Sequence, residues 1–394
     1  MALPSLSVKT IDTDSEHETL YQRKEVRLGS KRFETPIIAF DPSLVRGDDN
    51  VAPIIKGFNE IYRRVETKQT PLNVLISNIE IQDRFNSRIN TQKNKTDTEK
   101  EVTMCYIEHV GNDYPKQKEL EFILDTSYCY SDIVPLPIIH RITQKIQLET
   151  EFKKYLDFMK TSIEFLNSFN KKPIIGIIPR LAYRYMEPLV EFYVSNDITS
   201  FSVDLACRNV VTLRQPLRSC FRQLNKHRLL ENGFINAVNT SPGRFIKEKT
   251  VINSKDILCF GFGFDSIGRR HRPFRLSPHT WEKIERSENK LRIFNKDDYG
   301  YYKIMGETDI DKIYQFDSSI SRHIFSKLGL AKRWQIGRLQ NIYNIEQLGL
   351  EAFRIRNIVK DNSPSNYISE KQYVKKQDVK KIQKFKKDVS KVTL

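Results

Sequence analysis

Short apolar runs, each followed by polar or helix-patterned sequence, recur along most of this chain. VRLGSKRFETPIIAF (26–40) reads as two short strands around a Gly29–Ser30 turn. Further strand-like runs are LNVLI (72–76), EFILD (121–125), DIVPL (132–136), PIIGIIP (173–179), SFSVDL (200–205), FINAV (234–238), DILCFGF (256–262) and IYQF (313–316). Helical spacing is clearest over residues 149–169, where Phe152, Leu156, Met159, Ile163 and Leu166 share a face. Other helix patterns run from about Tyr185 to Val194 and over about 334–360. Strands too apolar to be half-solvated, alternating with amphipathic helices, predict a parallel sheet covered by helices. The expected fold class is α/β: a (β/α)8 TIM-type barrel with an N-terminal lead-in hairpin and a basic C-terminal tail. A doubly wound open sheet is the alternative, but no Gly-rich phosphate fingerprint follows a strand.

The pattern divides the chain into a flexible leader (1–25), a barrel (26–362) and a Lys-rich tail (363–394). Two polar insertions interrupt the barrel: 83–118, expected to be a surface loop, and 266–303, basic and irregular. The tail reads as a weakly amphipathic helix or as disordered chain.

Lys and Arg outnumber Asp and Glu by 65 to 49, giving a net charge of +16. Such a field attracts polyanions, and nucleic acid is the expected partner. The five cysteines (Cys105, Cys129, Cys207, Cys220, Cys259) are scattered and never spaced C-x-x-C, which argues against a disulfide framework and a structural zinc site. His140, His227, His271 and His323 lack metal-ligand spacing. No signal peptide is apparent and no apolar run reaches about 18 residues, so a soluble, cytoplasmic chain with no membrane contact is expected.

Reactive groups of a parallel barrel collect at the C-terminal ends of its strands. That rule selects Asp125, Asp132, Asp204, Asp317 and Asp265. Aspartates also cap helices, so a facing pair is what would carry meaning, as nucleophile and acid/base in glycosidic chemistry. Arg269, Arg270, His271, Arg272, Phe274 and Arg275 form a segment suited to gripping phosphate and stacking on a base. Lys380 and Lys381 sit in the tail, which would act as an electrostatic arm.

The order of these features resembles the tRNA-guanine transglycosylase superfamily, over Val26 to Asn362. VRLGSKRFETPIIAFDP is similar to that family's early strand and E-T-P motif. LEFILDTSYCYSD stands where it has D-S-G-x-F-Q, with Asp125 on its aspartate. KPIIGIIPR resembles the strand ending in I-Q-G, and DILCFGFG the strand ending in a G-x-G turn. IYQFDSSISR resembles the archaeal L-F-D-S-A-S-Y motif, whose aspartate is the nucleophile, and LQNIYNIEQLGLEAFRIRNIVKDN the helix that follows. The sequence departs from the family at its C-x-C-x-x-C zinc cluster, for which no cysteine is available, so no metal or cofactor is expected. The pocket glutamine is replaced around Pro179–Arg180, and a Gly-Gly pair by Val203–Asp204. The extra RNA-binding domain of the archaeal enzymes is absent, as in the branch that inserts 7-deazaguanine derivatives into DNA.

What the resemblance implies is exchange of guanine for a free 7-deazaguanine base in DNA or tRNA, by a pentosyltransferase that could be a homodimer. Asp317 would attack the anomeric carbon to form a covalent sugar ester, and Asp125 would recognise the base and handle its proton. Asp204, Arg180, Ser127, Gly261 and Gly263 would line the substrate pocket. Arg269, Arg270, Arg272, Arg275, Lys380 and Lys381 would bind nucleic acid. The alternatives are a catalytically silent nucleic-acid-binding or partner subunit, and an unrelated barrel enzyme acting on a small phosphorylated substrate.

Overall fold

The computed structural model describes residues 5–46, 49–169, 172–243, 249–273, 291–304, 307–322, 325, 333–361 and 363–391. The chain opens with an antiparallel meander of β1 (Leu6–Thr13), β2 (Gln22–Leu28) and β3 (Lys31–Thr35). Gly29, at φ +59°, makes the expected turn between the last two. The meander corrects the expectation of a flexible leader over 1–25. Alternate residues of β1 are shielded, and its backbone groups pair with β2 from Leu6↔Leu28 to Thr13↔Gln22.

Eight parallel strands follow: β4 (Ile37–Ile38), β5 (Phe58–Val65), β6 (Val102–His109), β7 (Val134–Pro135), β8 (Ile174–Ile178), β9 (Phe201–Asp204), β10 (Ile235–Val238) and β12 (Ser266–Ile267). Six of them form one sheet in the order β4-β12-β10-β9-β8-β7, and β5 pairs with β6. Isolated parallel bridges join Phe40 to Asn59 and Glu108 to Ile138. A mixed α/β protein with a six-stranded parallel sheet is therefore the architecture. A smaller antiparallel sheet is built from β11 (Val251–Asn253), β13 (Leu291–Asn295) and β14 (Gly300–Ile304).

Four apolar runs expected as strands are not strands. LNVLI lies in the helix Leu72–Ser77, where Leu72 and Leu75 are buried one turn apart. EFILD lies in the helix Gln117–Tyr130, whose start is fixed by the Glu119 carboxylate accepting from the Lys116 N–H at 2.8 Å. DILCFGF forms a 3-10 helix, Ile257–Phe262, capped by Asp256 and ended by Gly263 at φ +90°. IYQF ends the helix Glu307–Ile313 and runs into a turn. Short apolar runs buried on several sides carry no periodicity that separates helix from strand.

Both expected insertions hold regular structure. Residues 83–118 include most of the helix Ile79–Lys93 and all of β6, every residue of which is buried. Residues 266–303 include β12, β13 and most of β14; residues 274–290 lie outside the described residues. The expected helices appear as Glu149–Phe169, Met186–Val194 and Arg333–Asp361. Among the described residues, no helix is long and apolar enough to cross a membrane.

The tail is part of the core. Helix Lys376–Ser390 buries Val379, Ile382, Phe385 and Val389 and packs on the helix Val210–Lys226. Phe385 meets the rings of Phe221 and Phe262 at 5.5 and 4.9 Å. Gly261 lies beneath, where a Cβ would meet the Tyr21 ring at 2.9 Å and Ile382 at 3.1 Å. Phe385→Ala should cost about 3–5 kcal/mol by vacating this ring cluster. Urea denaturation checks this; an unchanged midpoint would mean that the tail helix is not seated there.

Candidate active site at the strand ends

Side chains alternate between the two faces of a strand. On β5, Ile61 and Val65 enter a satellite apolar cluster with Leu72, Leu75, Ile89, Cys105 and Ile107. That leaves Glu60, Tyr62 and Arg64 on the opposite face, with Tyr106 and Glu108 from β6. Ser202 and Asp204 of β9 meet them there: the hydroxyls of Tyr106 and Ser202 are 2.6 Å apart, and Asn236 of β10 donates to Tyr106 at 2.9 Å.

Towards the C-terminal ends of the strands the network becomes ionic. Arg272, just beyond β12, donates to Asp204 at 2.6 and 3.2 Å and to Glu108 at 2.7 Å. Arg64 holds the other oxygen of Glu108 at 2.9 Å. Burial by itself would raise the Asp204 carboxyl, but Arg272 and then His140, 3.8 Å away, hold it below its ordinary value. Burial opposes the Arg272 charge too, and Asp204, Tyr62 and Glu108 overcome that and push its pKa up. Asp204 also accepts from the Ala206 N–H at 2.9 Å and from Asn239 at 3.2 Å.

His271 stacks flat on Tyr62, with centroids 4.4 Å apart, and is hydrogen-bonded to buried Glu60. A Cβ at Gly268 would strike the Glu60 carboxylate, so any side chain there would have to push that carboxylate aside. Asp41, beyond β4, pairs with Arg269 at 2.8 Å; burial works against its ionisation, but Arg269 and then His271 hold its pKa down. Ala206, Cys207 and Asn239 adopt left-handed φ values of +52°, +59° and +55° around these carboxylates. Such non-glycine conformations cost roughly 1–3 kcal/mol each and persist where surrounding structure enforces them.

Two cavities open here. One, of about 240 Å³, is lined by Arg64, Glu108, Val110, His140, Arg141, Gln144, Ala206, Cys207, Arg270, Arg272 and Pro273. Its four guanidinium groups face a single lining carboxylate, a charge balance suited to an anion. The other, of about 440 Å³, lies between the end of β12, the small antiparallel sheet and the helix Arg333–Asp361. Arg270, Arg272 and Pro273 line both.

Of the residues picked from sequence, Asp204, Arg269, Arg270 and Arg272 come together here. Arg180 is exposed just past β8, where partial burial and then the Arg208 charge lower its pKa. The others lie elsewhere. Asp125, expected at a strand end, projects instead from the exposed side of the helix Gln117–Tyr130. Asp317 is half-exposed and paired with buried Lys296 at 2.7 Å. Neither lines the two cavities. Ser127 is buried, donating to the Cys105 carbonyl at 3.0 Å. Gly261 and Gly263 are tight packing positions, and a Cβ added to the second would meet Leu20 and Phe221 at 3.2 Å. Asp132 pairs with Lys31, and Asp265 with buried Lys24. Lys380 is exposed on the tail helix and Lys381 pairs with Asp378 at 2.8 Å. Arg275, Phe274 and His323 lie outside the described residues. Among the described residues, no group of three or more His, Cys, Asp or Glu is arranged to hold a metal.

The sequence reading missed Glu60, Tyr62, Glu108 and His140 as members of the cluster. The signal for the first two was the alternation of polar residues in FNEIYRRV, which a search for apolar runs passes over.

No family model and no curated protein matches this sequence. Among solved structures, the chain is similar to the carboxyl transferase domain from Rhizobium etli pyruvate carboxylase with 3-bromopyruvate, at 8% identity and a TM-score of 0.33, covering 75% of this chain and 42% of that one. It is also similar to the enoyl reductase domain of MlnA from the macrolactin biosynthesis cluster of Bacillus amyloliquefaciens, at 8% identity and a TM-score of 0.29, covering 85% of this chain and 89% of that one. Likeness at that level carries no argument about function.

Arg272→Met should lower stability by about 3–5 kcal/mol near neutral pH, because Glu108 and Asp204 stay buried without their shared cation. In the wild type, Asp204 contributes stability above about pH 4 that is lost as pH falls towards its depressed native value. In the variant the Asp204 carboxyl titrates above its unfolded value, and its contribution weakens as pH rises. Urea melts across about pH 3–7 check the sign, and parallel pH profiles for the two proteins would refute the pairing.

Proposed function

We propose that the eight parallel strands close into a (β/α)8 barrel and that its mouth performs base exchange at a guanosine or deoxyguanosine unit. Closure is supported by the bridges Phe40–Asn59 and Glu108–Ile138, which would join the β5–β6 pair to either end of the six-stranded sheet. The observation that carries the reaction is the gathering of Asp204, Glu108 and His140 around one buried arginine at the strand ends, beside an arginine-lined cavity. The carboxylates of this cluster replace Asp125 and Asp317 in the mechanism, because the first projects from the exposed side of a helix and the second is paired with Lys296.

A nucleotide unit has to leave its stack to enter such a mouth, at a cost of a few kcal/mol. Its phosphate would meet Arg141 and Arg270 and draw Arg272 away from Asp204. The freed Asp204 carboxylate attacks C1′, the C1′–N9 bond breaks, and its electron pair leaves with the purine. His271 gives that purine a proton and takes one from the incoming 7-deazaguanine base, whose nitrogen attacks C1′ and releases Asp204. Glu108, anchored by Arg64, keeps Arg272 in reach when Asp204 is alkylated.

A denaturing gel of enzyme incubated with labelled duplex DNA or tRNA tests the reaction. The wild type and Asp317→Asn should both form a covalent adduct, and Asp204→Asn should form none. An adduct that survives in Asp204→Asn but disappears in Asp317→Asn would restore the assignment made from sequence. The silent-subunit reading draws on the closed contacts of Asp204, which already holds Arg272, Ala206 and Asn239. Nucleic-acid binding with no adduct and no incorporation of any base would favour it.

Affinity for either polymer should fall steeply with salt. Arg141→Ala and Arg270→Ala should each reduce the log–log salt slope by about 1. Filter binding at several salt concentrations measures this. A slope that neither variant changes would remove phosphate from the 240 Å³ cavity.

A further inference from the structure

The 440 Å³ cavity meets the chemistry above at His271, and the rest of its walls are unlike a packing defect. Ile38, Ile267, Ile345 and Leu348 provide an apolar surface, and Arg269, Arg270 and Arg292 bring positive charge to it. In the helix Arg333–Asp361, glycine stands at position 337, on the cavity wall, and a Cβ added there would meet nothing within 4 Å. Glycine in a helix interior is unfavourable relative to alanine, so an empty space in front of it is bought at the expense of helix stability. The volume falls in the range of small-molecule sites, and the lining joins an apolar body to a few polar groups. Arg270, Arg272 and Pro273 are the wall shared with the arginine-lined cavity.

We infer that the two cavities form a divided site for a purine nucleoside monophosphate unit, free or within a polynucleotide. The planar base lies in the 440 Å³ cavity against the Gly337 face of the helix, and the phosphate lies in the 240 Å³ cavity with Arg141. This rests on the reading of the strand ends as a nucleotide site, and it adds where the base is held and which residue makes room for it.

The test is calorimetric titration of the full chain with guanosine 5′-monophosphate, guanosine and inorganic phosphate, and with a short single-stranded oligonucleotide. Gly337→Leu projects a side chain into the cavity without a clash at Cβ, and Gly337→Ala adds only the Cβ. Both should melt at or above the wild-type temperature, which separates lost binding from lost folding. Gly337→Leu should weaken guanosine 5′-monophosphate at least about tenfold, and Gly337→Ala less than about twofold, with inorganic phosphate unchanged in both. Arg141→Ala should weaken phosphate and the monophosphate but leave guanosine alone. Comparison of the monophosphate with the oligonucleotide tells which source the site prefers.

Wild-type affinity for the monophosphate that Gly337→Leu leaves intact overturns the inference, as does no binding of the monophosphate by the wild type. An equal loss of phosphate and monophosphate in Gly337→Leu overturns it too. Covalent adduct formation is scored separately. Adduct with no effect at position 337 sinks the inference and leaves base exchange standing, and Gly337-sensitive binding with no adduct does the reverse.

Discussion

One guanidinium organises this molecule's interior. Arg272 is nearly inaccessible to solvent and spans two carboxylates from different strands, Glu108 on β6 and Asp204 on β9. Burial works against the charge of Asp204, since desolvating a single carboxylate costs several kcal/mol, and Arg272 and then His140 offset it. The cation therefore fixes where β6, β9 and the segment after β12 end relative to one another. Everything around it follows from that constraint: Asn239 bridges Asp204 to the Tyr62 hydroxyl and the His271 backbone, and His271 lies flat on the Tyr62 ring. The left-handed residues Ala206 and Cys207 put a backbone N–H onto the same carboxylate.

The sequence displayed the middle of the fold well and its flanks poorly. PIIGIIP, SFSVDL and FINAV are strands because they are buried on both sides and bounded by turn residues, and hydropathy alone reveals them. β5 escaped because one of its faces carries the polar cluster: Glu60, Tyr62 and Arg64 break up an apolar run that Ile61 and Val65 would otherwise suggest. β6 escaped for a related reason, lying directly after the polar stretch that surrounds Lys93–Thr98 and having glutamate and histidine at its end. The residues that make a strand chemically useful are those that make it hard to recognise.

The site was half legible. Asp204 and the segment Arg269–Arg272 could be picked out because the first ends an unmistakable strand and the second is a dense run of cations. Asp125 and Asp317 stand out only by their places in an order of motifs, and their surroundings differ from what those places imply: an exposed helix side for the first, a lysine partner for the second. Gly261 and Gly263 show the same divergence. Their lack of side chains accommodates Tyr21, Ile382, Leu20 and Phe221 rather than a ligand. A shared order of elements constrains connectivity, whereas chemistry depends on which side chains converge, and those are separate properties of a chain.

The seating of helix Lys376–Ser390 on Phe221, Phe262 and Gly261 has a temporal side as well. A ribosome delivers those three residues more than a hundred positions before the helix that covers them. Until it emerges, an aromatic surface next to the Val210–Lys226 helix stands open to water and to whatever else is present. Its many lysines keep the closing segment soluble during that wait, and the Val379–Phe385 face then supplies the apolar area that completes the core. For a nascent chain of this kind, that surface stays uncovered until residues 376–390 have emerged.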